Sequence, residues 1–298
     1  MQRLLMTFLL IWAGPALAAL QVFSTVPEWA ALVREIGGDK VTVYSATHAL
    51  QDPHRIEARP SLLAQARRAQ LLIATGAELE VGWLPVVIRD SGNANIQIGR
   101  PGYFEAASVV SLLDVPVVID RSHGDVHASG NPHFQLDPHR VLKVGAALAE
   151  RMAMLDAEHA ASYRANYRVF AEKWQAAIGR WEKLAQPLRG VPVVVQHGSF
   201  RYLLAWLGMK EVATLEPKPG VEPSSGHLAE TLGRLQQTPA RMVLRAAYQH
   251  ERPSHWLSSR AGLPAVVLPF TVGGSAEAGD LSGLFDATLR ALLKGLQP

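Results

Sequence analysis

Three histidines stand where their chemistry could be used. His54 ends Gln51-Asp52-Pro53-His54, His133 ends Gly130-Asn131-Pro132-His133, and His197 follows Gln196 and precedes Gly198-Ser199-Phe200. A neutral imidazole nitrogen binds Zn²⁺ at about 2.0–2.1 Å, and three of them with one carboxylate complete a tetrahedron. The 298-residue chain has no cysteine. Thiolate sites and disulfides are therefore excluded, and any ion must rest on His, Asp or Glu. The fourth group is expected from the loop Thr271 to Asp280, with Asp280 as first candidate and Glu277 as its rival. Taken singly, each histidine reads as an ordinary turn residue, and Asp280 reads as a helix cap. The weight lies in four such groups, each following an expected strand.

The elements that would position them alternate between strand and helix. Strands are expected at Leu20–Ser24, Val41–Tyr44, Leu71–Thr75, Val117–Ile119, Val191–Val195, Met242–Leu244 and Ala265–Leu268. Helices are expected at Val26–Ile36, Pro60–Ala69, Val141–Met154, Phe200–Leu207, Leu228–Gln236, Ser254–Ser259 and Gly283–Leu293. Such alternation indicates parallel sheets covered by helices. In parallel α/β sheets, ligands bind beyond the carboxyl ends of the strands, so the four groups could meet in one crevice. Between the two series, Ala157 to about Leu184 runs almost free of Gly and Pro, with aromatic residues at helical spacing. It reads as one long rigid helix joining two similar lobes. The expected division is a signal peptide at 1–18, an N-terminal α/β lobe at 19–137, a helical segment at 138–187 and a C-terminal α/β lobe at 188–298.

Bulk properties narrow the classes. Met1-Gln2-Arg3, the apolar run Leu4–Ala13 and Pro15-Ala16-Leu17-Ala18 form an export signal with a small-residue cleavage site. The run is shorter than the roughly 20 apolar residues of a membrane span. Without a cysteine after the cleavage site, lipid attachment is not expected, and the exported chain is read as a soluble monomer in the periplasm. The net charge is +3, with 29 basic and 26 acidic residues in no obvious stripe, which gives nucleic-acid binding no support. His250 to His255 partly resembles a zinc-protease helix, but its spacing is one residue too long and Pro253 interrupts it.

Taken in order, several segments resemble the solute-binding proteins of bacterial zinc/manganese ABC importers. They are Asp52-Pro53-His54, Gly76-Ala77-Glu78-Leu79-Glu80 with Gly82-Trp83-Leu84, Asn131-Pro132-His133-Phe134 with Leu136-Asp137-Pro138, His197 ahead of Phe200 and Tyr202, Glu222-Pro223-Ser224, and Gly273 to Asp280. The resemblance implies two α/β lobes bridged by a long helix, little domain closure, and metal ligation by His54, His133, His197 and Asp280. It implies Zn²⁺ as transported ligand, because manganese-type members tend to carry a carboxylate where this chain has His197. The importer's membrane permease is the implied partner, and a periplasmic zinc donor is a further candidate. Where many zinc-type members carry a long His-rich loop, this chain has only Arg121 to Ser129. His123 and His127 in it are candidates for auxiliary metal capture, weighed evenly against a plain polar loop.

Two other classes compete. A zinc hydrolase would keep one coordination position for water and need a base such as Glu78 or Glu222. A metal-dependent adhesin would use the ion structurally and unfold without it. Within the binding class, manganese or iron is the alternative cargo.

Overall fold

The computed structural model describes residues 19–116 and 127–297. The leader, His123 and the expected strand at Val117–Ile119 lie outside the described residues.

The first half builds β1 (Leu20–Ser24), α1 (Pro27–Gly37), β2 (Val41–Ser45), α2 (Pro60–Arg68), β3 (Leu71–Ala74), α3 (Leu84–Ser91) and β4 (Tyr103–Glu105). Then come α4 (Pro138–Leu155) and the long α5 (Ala160–Leu184). The second half builds β5 (Pro192–Val195), α6 (Arg201–Leu207), β6 (Lys210–Thr214), α7 (Ser225–Leu235), β7 (Met242–Ala246), α8 (Arg252–Ala261), β8 (Ala265–Leu268) and α9 (Leu281–Gly295).

The strands form two four-stranded sheets, ordered β2-β1-β3-β4 and β6-β5-β7-β8, and every pairing is parallel. The two orders are topologically identical, although no sequence repeat is apparent. In each, the chain reverses direction across the sheet between the two central strands, which is where doubly wound sheets open a binding crevice. Of the central strands, β3 and β5 are apolar throughout and almost wholly buried, as sheets covered on both faces require.

One buried cluster joins the inner faces of both sheets. It runs from Val22, Leu71 and Ile73 through Trp29, Leu148, Trp174 and Trp181 to Phe285, Val193 and Leu244. Smaller clusters lie under α2 and α3 on one side and under α7 and α8 on the other. The long helix α5, of 25 residues and so about 38 Å, sits inside this shared core. Its Trp174 packs against Phe170, Trp181 and Phe285, and its indole donates to the Pro138 carbonyl at 2.9 Å.

Several boundaries differ from expectation. Helix α5 is preceded by a 3-10 turn, Ala157–His159, because Asp156 accepts from Tyr163 Oη and His159 Nδ1 and turns the chain there. α4 begins at Pro138, capped by Asp137, which accepts from two backbone amides. α3, β4 and β6 were not expected. β4 is three residues long, and β6 starts with Lys210-Glu211, so neither shows an apolar run.

Candidate metal centre

Each of the three histidines is set by a short hydrogen-bonded device, and His54 and His197 follow strands β2 and β5. After β2, Asp52 forms a side-chain turn in which Oδ1 accepts from the His54 amide at 3.0 Å. The same oxygen accepts from His54 Nδ1 at 2.8 Å. Trp83 pins the loop by donating its indole N–H to the Pro53 carbonyl at 2.9 Å. Asn131 repeats the turn, accepting from the His133 amide at 3.0 Å, and its Nδ2 reaches across to the Gly198 carbonyl at 2.9 Å. Tyr202 supports that loop, donating to the Asn131 carbonyl at 2.6 Å and accepting from the Leu113 amide at 2.8 Å. His197 continues the line of β5, at the switch point of the second sheet, and its Nδ1 meets Glu216 Oε2 at 2.7 Å.

The ligand atoms of His54, His133 and His197 all lie within 4.8 Å of one another. Ring centroids are 5.2 Å apart for His54–His133, 5.5 Å for His133–His197 and 5.9 Å for His54–His197. Imidazoles on one tetrahedral zinc have centroids about 5.2 Å apart, given a bond of about 2.0–2.1 Å. The rings therefore need to move by well under an ångström.

Protonation is arranged to match. The carboxylates of Asp52 and Glu216 take the Nδ1 hydrogens of His54 and His197, which leaves each Nε2 lone pair facing inward. His133 is 2% exposed, and its Nε2 has no hydrogen-bond partner. Burial, followed by the charges of His54, His197 and His127, holds its imidazole well below the usual range, so it is neutral. Burial alone would raise Asp52, but the bonds and charge of His54 outweigh it and leave the carboxyl below its ordinary value. A buried, unpaired ring nitrogen is costly unless something else satisfies it. Here a cation would.

Two cavities open onto the group. One of about 530 Å³ is lined by His127, His133, His197 and Glu216, and one of about 230 Å³ by Asp52, His54, His197 and Tyr248.

Residues 22–295 match the family described as "ZnuA: Zinc-uptake complex component A periplasmic". The chain belongs to this family. It is 24% identical over 271 residues to the manganese ABC transporter substrate-binding lipoprotein PsaA of Streptococcus pneumoniae, covering 88% of this chain and 83% of the relative. To the zinc-binding lipoprotein AdcA of S. pneumoniae it is 22% identical over 239 residues, 79% of this chain and 46% of AdcA. Among solved structures, a zinc-bound ZnuA lacking residues 138–173 superposes with a TM-score of 0.77 at 22% identity, covering 94% and 100% of the two chains. The solute-binding protein FpvC of Pseudomonas aeruginosa in complex with Mn²⁺ gives 0.74 at 22% identity, covering 92% and 99%. The fold is that of these proteins, and the family is a solute-binding component of metal importers.

The other site residues of the sequence reading fall differently. Among the described residues, Asp280 is not in the ligand group. It is exposed and caps α9, accepting from the Gly283 amide at 2.7 Å. The loop before it closes on itself through Gly273 N to Ala278 O at 2.6 Å, which leaves Glu277 on the exposed surface. His127 does approach the group, its ring stacked on that of His54 at 5.5 Å. Asp52 and Glu216 escaped the sequence reading as partners of ligands. Asp52 was named only as part of the Asp52-Pro53-His54 segment, and Glu216 lies 19 residues beyond His197 with no local pattern to connect them. A third Asx-Pro-His, Asp137-Pro138-His139, makes the same turn with 2.9 Å from the His139 amide. It serves instead as a helix start, with His139 pointing out to Glu182. The motif makes the turn, and the position in the sheet makes the site.

Proposed function

We propose that this protein is the periplasmic zinc carrier of an ABC-type importer, exported by a cleavable leader and delivering Zn²⁺ to the membrane permease. One observation carries the reading: three imidazoles converge within 4.8 Å, two with Nδ1 held by carboxylates and the third with Nε2 buried and unpartnered. A group of three nitrogen donors with no carboxylate suits zinc better than manganese, which prefers oxygen-rich shells. The similarity to both PsaA and AdcA fits a metal carrier of either kind, so the choice of zinc rests on the donor set. No helix among the described residues is long and apolar enough to cross a membrane. In this reading, residues 19–137 and 188–298 form the two lobes, and 138–187 carry the helices between them.

The hydrolase reading has less support. Glu222 is exposed on the rim of the smaller cavity, and Glu78 is engaged with the Ala128 amide at 2.5 Å.

The test is zinc and manganese titration of residues 19–298 beside His197→Ala. The expected result is one zinc per chain, bound more tightly than manganese, weakened in the variant, with both proteins folded. Affinity should fall as pH drops through the imidazole range, near 6.5 for a free side chain, because protons compete for the ligands. Manganese preference untouched by His197→Ala, or an affinity constant between pH 5 and 8, would overturn the assignment.

A further inference from the structure

The smaller cavity, of about 230 Å³, carries polar groups that the three-histidine group does not use. Besides His54 and His197, its wall holds Gln196, Arg55 and the carboxylates of Asp52, Glu216 and Glu222. Gln196 is 5% exposed, and its Oε1 has no hydrogen-bond partner. Its Nε2 donates to the His250 carbonyl at 3.0 Å, which fixes the orientation of the amide and leaves the oxygen as the orphan. A buried acceptor with neither a donor nor a cation against it is costly. Asp52 and Glu216 each commit one oxygen to a histidine and keep the second. With the imidazoles neutral, three carboxylates against one guanidinium leave an excess of two negative charges on this wall. That is the charge of one divalent cation.

We propose that this cavity is a waiting site for an incoming hydrated divalent cation, held through its waters by Gln196 Oε1 and the Glu222 carboxylate before it reaches the histidines. This rests on the zinc-carrier reading above and adds a station outside the three-nitrogen group. Among the described residues, His54, His133 and His197 are the one trio of His, Asp or Glu whose ligand atoms lie within 4.8 Å of one another. The three carboxylates do not gather that tightly, so they suit an ion that keeps its waters rather than a bare one. Amide and carboxylate oxygens are the donors that hydrated hard cations prefer. Zinc then exchanges its waters for imidazole nitrogens, which suit it better. The charges make the station temporary. Zinc on the histidines brings two positive charges to the same wall and cancels its excess, so a second cation is no longer held. The site therefore fills only while the histidines are empty, and it hands its ion on. A cleft charged oppositely to its ligand also raises the rate of encounter.

Stopped-flow mixing of the metal-free protein with Zn²⁺ reads the rate of capture. Glu222→Gln keeps the size of an exposed side chain and removes its charge. It should capture zinc about three- to tenfold more slowly at low salt, the low end of what a charged cleft adds to an on-rate, and the difference should fade as salt is added. Glu230→Gln, on the exposed part of α7 and outside the cavity, removes the same net charge and should match the wild type. Oxygen donors take Ca²⁺ and imidazoles do not. Millimolar Ca²⁺ at constant ionic strength should therefore slow zinc capture by the wild type severalfold, and slow neither Glu222→Gln nor Gln196→Leu. Gln196→Leu also gives up the bond to the His250 carbonyl, so Glu222→Gln decides the matter if that loosens the fold. Equal capture rates in Glu222→Gln and Glu230→Gln, or a wild type indifferent to Ca²⁺, overturns the waiting site and leaves the zinc carrier standing. A wild type that takes up no zinc overturns both.

Discussion

Glu28→Gln should lessen the stability that the metal-free protein loses as pH rises. Glu28 lies on α1, 4% exposed, and accepts from Thr271 Oγ1 at 2.5 Å across a span of 243 residues. Thr271 follows Phe270, whose ring packs on His133 at 5.6 Å, so this bond ties the C-terminal site loop to the N-terminal helix. Burial raises the carboxyl from 4.5 to about 7; the Thr271 bond opposes this, and the Glu80 charge adds to it. The folded state thus keeps a proton that the unfolded chain loses above pH 4.5. Its stabilising contribution is complete below that pH and is lost as pH rises through about 7. The span from 4.5 to about 7, at 1.36 kcal/mol per pH unit, amounts to about 3 kcal/mol. That is a large share of the roughly 5–15 kcal/mol that holds a domain folded. Glutamine keeps the size and the acceptor for Thr271 without the charge. Urea unfolding with chelator present, at pH 5 to 8, should show the variant gaining about 3 kcal/mol on the wild type across that range. His133 pulls the other way. Buried and neutral, it contributes stability above pH 6.5 that is lost below it, but it is common to both proteins and cancels in their difference. Parallel curves for the two proteins would refute the argument.

Three further substitutions test the supports of the site and core. Glu216→Ala removes the acceptor of His197 Nδ1 and should weaken zinc about 10–100-fold in chelator competition, with the melting temperature of the metal-free protein nearly unchanged. Tyr202→Phe strands the Leu113 amide and the Asn131 carbonyl. It should cost about 1–3 kcal/mol in urea unfolding, and zinc dissociation should quicken as the His133 loop loosens. Trp174→Ala empties the aromatic centre of the shared core and should cost about 3–5 kcal/mol by thermal or urea unfolding.

Much of this was legible in the sequence, and what was not has physical reasons. The central strands were apolar runs between turn residues, and α5 announced itself by length and aromatic spacing. β4 and β6 are edge strands with few buried side chains, so they carry almost no periodic signal. His54 and His197 could be found because each lies in the segment that follows a strand, β2 and β5, and His133 because it closes the same Asx-Pro-His turn as His54. That Asp280 lies apart from them could not, because a loop's path depends on contacts far off in the chain. Asp280 is turned outward by a closure between Gly273 and Ala278, and the Ala128 amide beside His127 is tied to Glu78, 50 residues away. The long helix was legible as one helix joining two lobes, and its buried face also enters a core common to both.

That core decides how an ion can leave. A hinge between the two sheets would have to part the cluster that runs from Ile73 through Trp29 and Trp174 to Val193. Exposing roughly 200 Å² of apolar surface there would cost about 5 kcal/mol, comparable to the lower end of a domain's whole stability. The loops at the strand ends are held far more cheaply. His54 hangs from one turn and one indole bond, and His133 from Asn131 and Tyr202. Releasing one such bond costs about 1–3 kcal/mol, which a docked permease or a proton on a free imidazole can supply. Capture and release therefore belong to the loops, and the lobes serve as a fixed frame that keeps His54, His133 and His197 facing one another.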